Sequence, residues 1–341
     1  MKKTIKNKLS LLIVLLLTII VLYFSLKDDF DSVIQELKSA NILFLLIAVI
    51  MTIYYYVLTS ISMYVIIKKY NDKFTLWQTI KLKFKTKFFD AITPTSTGGQ
   101  PYQIYSLTSN GISVLDSTNI CLQSFVAYQL ALVLIGILAV FSNSIMHLFD
   151  VNNTLMFLVI IGFIINTSIA VFLFLVSFTT KFNNYIYRKI LNIAVKLHLV
   201  KDVEKTNKMY DDYVENVKRG TTSLLKNKKD FASVIILNFV GLCFDYLVPL
   251  FVLYSIGDYN SFGLFKCIIA SAHVLLMGSF IPLPGGTGGL EYGFVEFFGT
   301  FLKGSKLTTL MLLWRFITYY LVMIIGAIML NIRKKDESLW E

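Results

Sequence analysis

Three ionisable side chains, Asp245, Glu291 and Arg315, stand inside long apolar runs of this 341-residue chain, and each could engage a charged group. A charge at the centre of a membrane helix costs about 2.5–3.5 kcal/mol on insertion scales, so each must have a partner or a task. Asp245 lies about 15 Å of helix from the end of its run, and Arg315 about 12 Å from the start of the last one, which puts them at similar depth. The charges then have two uses. Asp245 or Glu291 can neutralise Arg315 as a buried ion pair. Alternatively Arg315 faces a cavity as a ligand for phosphate, with the carboxylates holding it or meeting an amine on the same headgroup.

Glu291 belongs to the stretch IPLPGGTGGLEYG (281–293), where two prolines and five glycines interrupt an apolar segment. Broken backbone at membrane depth survives only where protein buries it or where it lines a wet cavity. Gly285, Gly286, Gly288 and Gly289 supply the conformational freedom for such a break. A half-helix starting near Leu290 presents free N–H groups and a positive dipole end to an anionic headgroup. Gly289 and Gly293 equally fit a close helix contact. A second break, TPTSTGGQP (93–101), sets Thr97, Gly98, Gly99, Gln100 and Gln103 around Pro94 and Pro101, with Asp90 as its formal charge. These polar groups either satisfy their own freed backbone or contact a substrate. His273 reads as a packed polar residue. Cys121, Cys243 and Cys267 have no CxxC spacing or His partner, so neither metal nor disulfide is expected, and no cofactor motif is present.

The elements that must position these residues are membrane helices. The chain is 56% hydrophobic and 16% charged, with a mean hydropathy of +0.67, far from the soluble globular range. Spans are expected at 9–26, 41–67, 120–142, 151–178, 231–255 and 307–332, each long enough for a ~30 Å hydrocarbon core. The first lacks a cleavage site and reads as a retained span. Lys2, Lys3, Lys6 and Lys8 before it, and the Lys-rich segments 68–87, 179–230 and 333–335, place both termini in the cytoplasm by the positive-inside rule. The net charge of +11 is then a topology signal, with anionic inner-leaflet lipid as neighbour and no call for nucleic acid. Lys81, Lys83, Lys85 and Lys87 read as a solvated or lipid-facing basic edge.

With that orientation the two broken segments, 74–118 and 263–302, each begin and end on one side of the membrane and so form re-entrant hairpins entering from opposite faces. The order span, broken hairpin, span occurs in 41–142 and again in 231–332 with opposite orientation. An extra span at 151–178 and an amphipathic cytoplasmic linker at 179–230 join the copies. The expected fold is therefore an all-α integral membrane domain, six spans and two opposed hairpins in an inverted repeat, the arrangement of many transporters.

Three blocks, TPTSTGGQPYQIYSLTSNGIS (93–113), PLPGGTGGLE (282–291) and WRFITYYLVMIIG (314–326), together resemble the lysylphosphatidylglycerol synthase transmembrane-region family, the flippase-like domain also found in multiple peptide resistance factors. The resemblance covers roughly residues 9–332. It implies a domain that moves aminoacylated or other polar-headed lipids between leaflets, with Gly285, Gly286, Gly289, Glu291 and Arg315 in the recurrent motif. Two departures stand out. Gln103 occupies a place where many members carry Arg, and no soluble synthase domain follows the spans, so lipid synthesis is not expected.

The leading expectation is a plasma-membrane translocase for a phospholipid or glycolipid, with a midplane cavity between the hairpins and with room for a homodimer. A secondary transporter of a small soluble anion or amine is the alternative. A transferase acting on a polyprenyl carrier, with Asp90, Asp245 or Glu291 as base, is a third reading. No nucleophile motif, P-loop or zinc pattern supports catalysis.

Overall fold

The computed structural model describes residues 30–93, 96–196, 227–278 and 284–331, with isolated residues between 204 and 215. The expected span at 9–26, Pro94 and Pro282 lie outside them. Among the described residues the fold is all helical. A short α1 (Phe30–Ser39) precedes α2 (Ile42–Ile67), α3 (Leu76–Ala91), α4 (Gly99–Ser109) and α5 (Val114–Met146). Then come α6 (Asn153–Phe178), α7 (Thr180–Lys196), α8 (Lys228–Tyr246), α9 (Val248–Ser255) and α10 (Leu264–Gly278). The tight turn Pro284–Gly286 leads into α11 (Gly289–Phe298) and α12 (Ser305–Arg315), and a π-helical segment, Phe316–Leu321, continues into α13 (Val322–Asn331).

Five helical stretches are long and apolar enough to cross a membrane: Ile42–Ile67, Val114–Met146, Asn153–Val176, Lys228–Ser255 and Ser305–Leu330. They fall on five of the six expected spans. Their ends differ from the sequence reading for local reasons. Ser113 accepts the Asp116 N–H as an N-cap, so α5 starts six residues before Ile120 and takes residues 114–118 away from the hairpin. Pro249 has no N–H to offer the Asp245 carbonyl, so the fourth of these stretches turns at Leu247 and divides into α8 and α9. The turn also frees the Tyr246 carbonyl, which accepts from Ser271 Oγ at 3.0 Å and Cys267 Sγ at 3.2 Å on α10.

Large apolar side chains such as Ile42, Leu46, Phe141, Phe157, Ile164, Ile236 and Ile328 cover the outside of these helices. A surface this apolar fits hydrocarbon, not water. Inside, one buried cluster joins α5 and α6 with α8 to α12, centred on Phe294, Phe297 and Phe298. A smaller one, with Met63, Ile66, Leu107 and Ile120, joins α2 to α5. The longest contact is that of α2 with α8. Asn238 donates to Ser62 Oγ at 2.7 Å across it, and Ser62 donates to the Val234 carbonyl at 3.0 Å, so polar groups seal a seam that apolar attraction alone cannot hold in lipid.

The two interrupted segments form helical hairpins, α3 with α4 and α10 with α11. Each also packs on a spanning helix far away in the chain: α3 lies along α13, and α10 lies against α6 and α5. Gly326 makes the first contact close, since a Cβ there would run into the Phe84 carbonyl of α3.

Candidate functional site

The second break is built on left-handed glycines. Gly285, Gly286 and Gly288 have φ of +61°, +66° and +89°, values that suit residues without a Cβ. At Gly285 a Cβ would also enter the ring of Tyr319. This turn aims the start of α11 at Arg315, and the two are locked together. Arg315 Nε lies 2.6 Å from Glu291 Oε1 with both side chains 6% exposed, a charge contact without hydrogen-bond alignment. Arg315 Nη2 donates to the Gly285 carbonyl at 2.7 Å and to Thr287 Oγ1 at 3.3 Å. Glu291 Oε2 accepts the Gly288 N–H at 2.6 Å. The α11 N-terminus thus carries its own carboxylate, which competes with any outside anion. Of the two ion pairs weighed for Arg315, the one formed is with Glu291.

The π-helical segment that follows Arg315 brings in a residue that sequence reasoning passed over. The Tyr319 ring lies under the guanidinium, 4.2 Å from Arg315 Cζ, and beside Gly285. Its hydroxyl donates at 2.9 Å to the carbonyl of Ala91, an orphan acceptor at the end of α3. One side chain therefore touches both hairpin breaks. Insertion of a π turn, a feature frequent at functional sites, sets this direction. The WRFITYY block holds the residue but gives no sign of the extra turn.

The first break is closed from the helix before it. Asp90 Oδ1 accepts the Gly99 N–H at 2.9 Å, Thr93 Oγ1 accepts the Gly98 N–H at 2.8 Å, and Thr93 donates to the Phe89 carbonyl at 2.7 Å. These bonds satisfy backbone freed by the break, one of the two uses foreseen for its polar groups. Thr97 and Gln100 are exposed at the tip, and Gln103 is buried on α4.

Asp245 stands apart from the Arg315 pair. It lies at the end of α8, where the cation acting on it is Lys87 of α3, and Tyr55, Tyr56 and Tyr128 share its surroundings. Here the structure divides the lysines between two sides of α3. The spacing Lys83, Lys87, Asp90 follows i, i+4, i+7 and makes one stripe of α3, while Lys81 and Lys85 fall on the opposite side. Lys83 and Lys87 both lie near Asp90, and Lys83 also lies near the buried Cys121 of α5. Lys83 and Asp245 are both half-buried. Lys81 instead lies over the exposed Trp77 ring. Splitting the alternating lysines by helical period, not reading them as a run, would have found this.

Other polar candidates are accounted for by packing. His273 is fully buried, its Nδ1 2.8 Å from the Ile269 carbonyl and its ring against Phe149 and Phe297. No group of metal-binding side chains occurs among the described residues. A small pocket between α5, α6 and α10, lined by Leu132, Ile135, Asn166 and Leu276 among others, contains no charged residue.

Residues 9–326 match the family model of the lysylphosphatidylglycerol synthase TM region. Over 310 residues, 86% of this chain and 88% of the relative, the sequence is 24% identical to a UPF0104 membrane protein of Archaeoglobus fulgidus. The match takes in both hairpins and the Glu291–Arg315 pair and ends within the last membrane-spanning helix, and the chain belongs to the lysylphosphatidylglycerol synthase transmembrane-region family.

Proposed function

We propose that this protein moves a polar-headed lipid, a phospholipid or glycolipid, between the leaflets of the plasma membrane. The observation that carries the reading is a set of charges, Asp90 and Lys87 of α3 with Asp245 of α8, gathered within a bundle whose exterior is apolar. Charges enclosed at such depth are costly and are retained where a polar group must pass. The acyl chains stay in the bilayer while the headgroup crosses the polar interior, which keeps the desolvation cost small.

The hairpins support this reading. Helices α3, α4, α10 and α11 have 16, 11, 15 and 10 residues. At 1.5 Å per residue they reach about 24 Å at most, short of a ~30 Å core, as re-entrant elements are. The crosswise packing, α3 on α13 and α10 on α5, is the exchange expected of an inverted repeat. In this reading both termini are cytoplasmic and anionic inner-leaflet lipid lies against the basic face. The protein is a translocase, not an enzyme.

The test is leaflet exchange of fluorescent phosphatidylglycerol, lysyl-phosphatidylglycerol, phosphatidylethanolamine and a glycolipid in proteoliposomes of the purified chain. Exchange that depends on headgroup and falls in Asp245→Asn supports the reading. Rates equal to those of protein-free vesicles for all four lipids, with and without an ion gradient, overturn it in favour of a soluble anion or amine as cargo.

A further inference from the structure

We infer that α7 lies in the membrane surface and binds anionic lipid through a face made of Tyr185, Lys189, Ile193 and Lys196. The inference deepens the anionic-lipid part of the reading above, on which it rests only for the leaflet concerned, and it involves neither cargo nor transport.

The depth of α7 follows from its first turn. Thr179 has an extended backbone, φ −122° and ψ 99°, and ends α6. Had the helix run on, Phe172 and Phe182 would stand about 15 Å apart along its axis. Their ring centroids are instead 6.0 Å apart in an edge contact, so the chain bends sharply and α7 starts back against the end of α6. Phe172 belongs to the membrane-spanning part of α6, Asn153–Val176, and is 46% exposed. Phe182 therefore sits at the edge of the hydrocarbon, against a residue that faces lipid.

The face that meets the lipid is set by what covers the other. Tyr187 stacks on Tyr210 with ring centroids 3.5 Å apart and donates to Asn207 Oδ1 at 2.9 Å, and Tyr210 donates to Asn184 Oδ1 at 2.8 Å. Asn184 and Tyr187 are thus turned to protein. At about 100° per residue, Phe182, Tyr185, Lys189, Ile193 and Lys196 share one stripe about 80° wide, on the side roughly opposite that pair. Tyr185 and Ile193 are more than half exposed there, and Lys189 and Lys196 are exposed beside them.

Charge decides the occupant. The α7 sequence TKFNNYIYRKILNIAVK carries four basic residues and no acidic one. Aromatic and aliphatic side chains interleaved with lysine suit a helix lying in the headgroup region of an anionic bilayer. Lys189 Nζ stands 5.1 Å from the Tyr185 ring centroid, so its stem runs along the apolar face while its charge stays at the rim, as in a snorkelling lysine. A protein partner would have to enter the bilayer to cover the whole stripe, because Phe182 joins it to Phe172.

The experiment is amide hydrogen exchange of the full chain in nanodiscs of phosphatidylcholine alone and of an equimolar mixture with phosphatidylglycerol. Residues 180–196 should exchange more slowly in the mixed discs by at least about fivefold, the factor that one lysine near a charged surface carries. Lys189→Gln and Lys196→Gln should each remove about one such factor, and molar salt should remove the difference altogether. Benzoylphenylalanine in place of Tyr185 or of Ile193 should give photoadducts with lipid.

Equal exchange of residues 180–196 in the two kinds of disc overturns the assignment, as does slowing that extends equally to α10. Both comparisons need only the parent chain, so they decide the matter even if a variant fails to fold. Photoadducts with protein, a second copy included, overturn lipid as the occupant. Both faces of a disc carry the same lipid, so an error in the assigned leaflet leaves these outcomes unchanged, and so does a failure of leaflet exchange.

Discussion

The two hairpins solve one problem in different ways. Each must expose the N-terminus of a second half-helix inside a membrane protein, and each covers it with a carboxylate. In the first, Asp90 reaches across the break from the preceding helix to the Gly99 N–H and is joined by neutral Thr93. In the second, Glu291 caps from within α11 and is held by Arg315 from another helix, with both side chains almost wholly buried. The first break is thus closed by local hydrogen bonds. The second is cross-linked through charge to α12. The difference teaches that the second hairpin is held by a distant helix while the first is held by its own chain neighbours. Tyr319 ties them, resting on one break and donating to the edge of the other.

The contrast breaks most severely at the ion pair. Removing one partner of a buried pair strands the other, so Arg315→Gln or Glu291→Gln should cost about 3–5 kcal/mol, read as a large fall in thermal unfolding temperature in detergent. The double variant should be less destabilised than the sum of the two, and additivity in that cycle would show that the groups do not sustain each other. A loss this large also means that missing activity in an Arg315 variant says nothing about binding unless folding is measured alongside.

The link between hairpins should break more gently. Tyr319→Phe removes the bond to the Ala91 carbonyl while leaving the ring under the guanidinium, for an expected loss of about 1 kcal/mol. Amide hydrogen exchange should rise around residues 88–93 and stay unchanged around 285–291. Faster exchange at both breaks would mean that the ring, not the hydroxyl, carries the connection.

The smallest effect lies outside the membrane, in the loop leading to the second hairpin. Partial burial pushes the Asp258 carboxyl up, but donors from Ser261 and Asn260 and the nearby Lys306, 3.9 Å away, hold it below its ordinary value. A carboxylate depressed in the folded state stabilises above its unfolded pKa and loses that contribution as pH falls through its folded value. Thermal stability of the parent chain should therefore fall slightly more on acidification below pH 4 than that of Asp258→Asn, with exposure keeping the difference small. Parallel pH curves would remove Asp258 from the account.

Several of these features could be read from single residues in sequence. Runs of apolar residues about 20 long can only be buried in lipid or in a large core, so five spans were legible to within a few residues. The breaks were legible because proline removes a donor and clustered glycine weakens a helix wherever they occur. Ser113 and Pro249, which moved two boundaries, act through single backbone hydrogen bonds that hydropathy does not register. The partner of Arg315 was left open because Asp245 lies at a similar depth, and depth says nothing of direction around the bundle.

By itself, then, the sequence determined the class of the protein, the positions of its membrane helices and the two places where they break, since these follow from composition and from backbone chemistry local to each segment. Tertiary structure decided which charges meet. It paired Arg315 with Glu291, set Lys87 near Asp245, and used one π turn to carry Tyr319 to the Ala91 carbonyl, 228 residues away in the chain. Such contacts depend on the rotation of each helix about its axis and on which helices become neighbours, and packing between distant segments sets both.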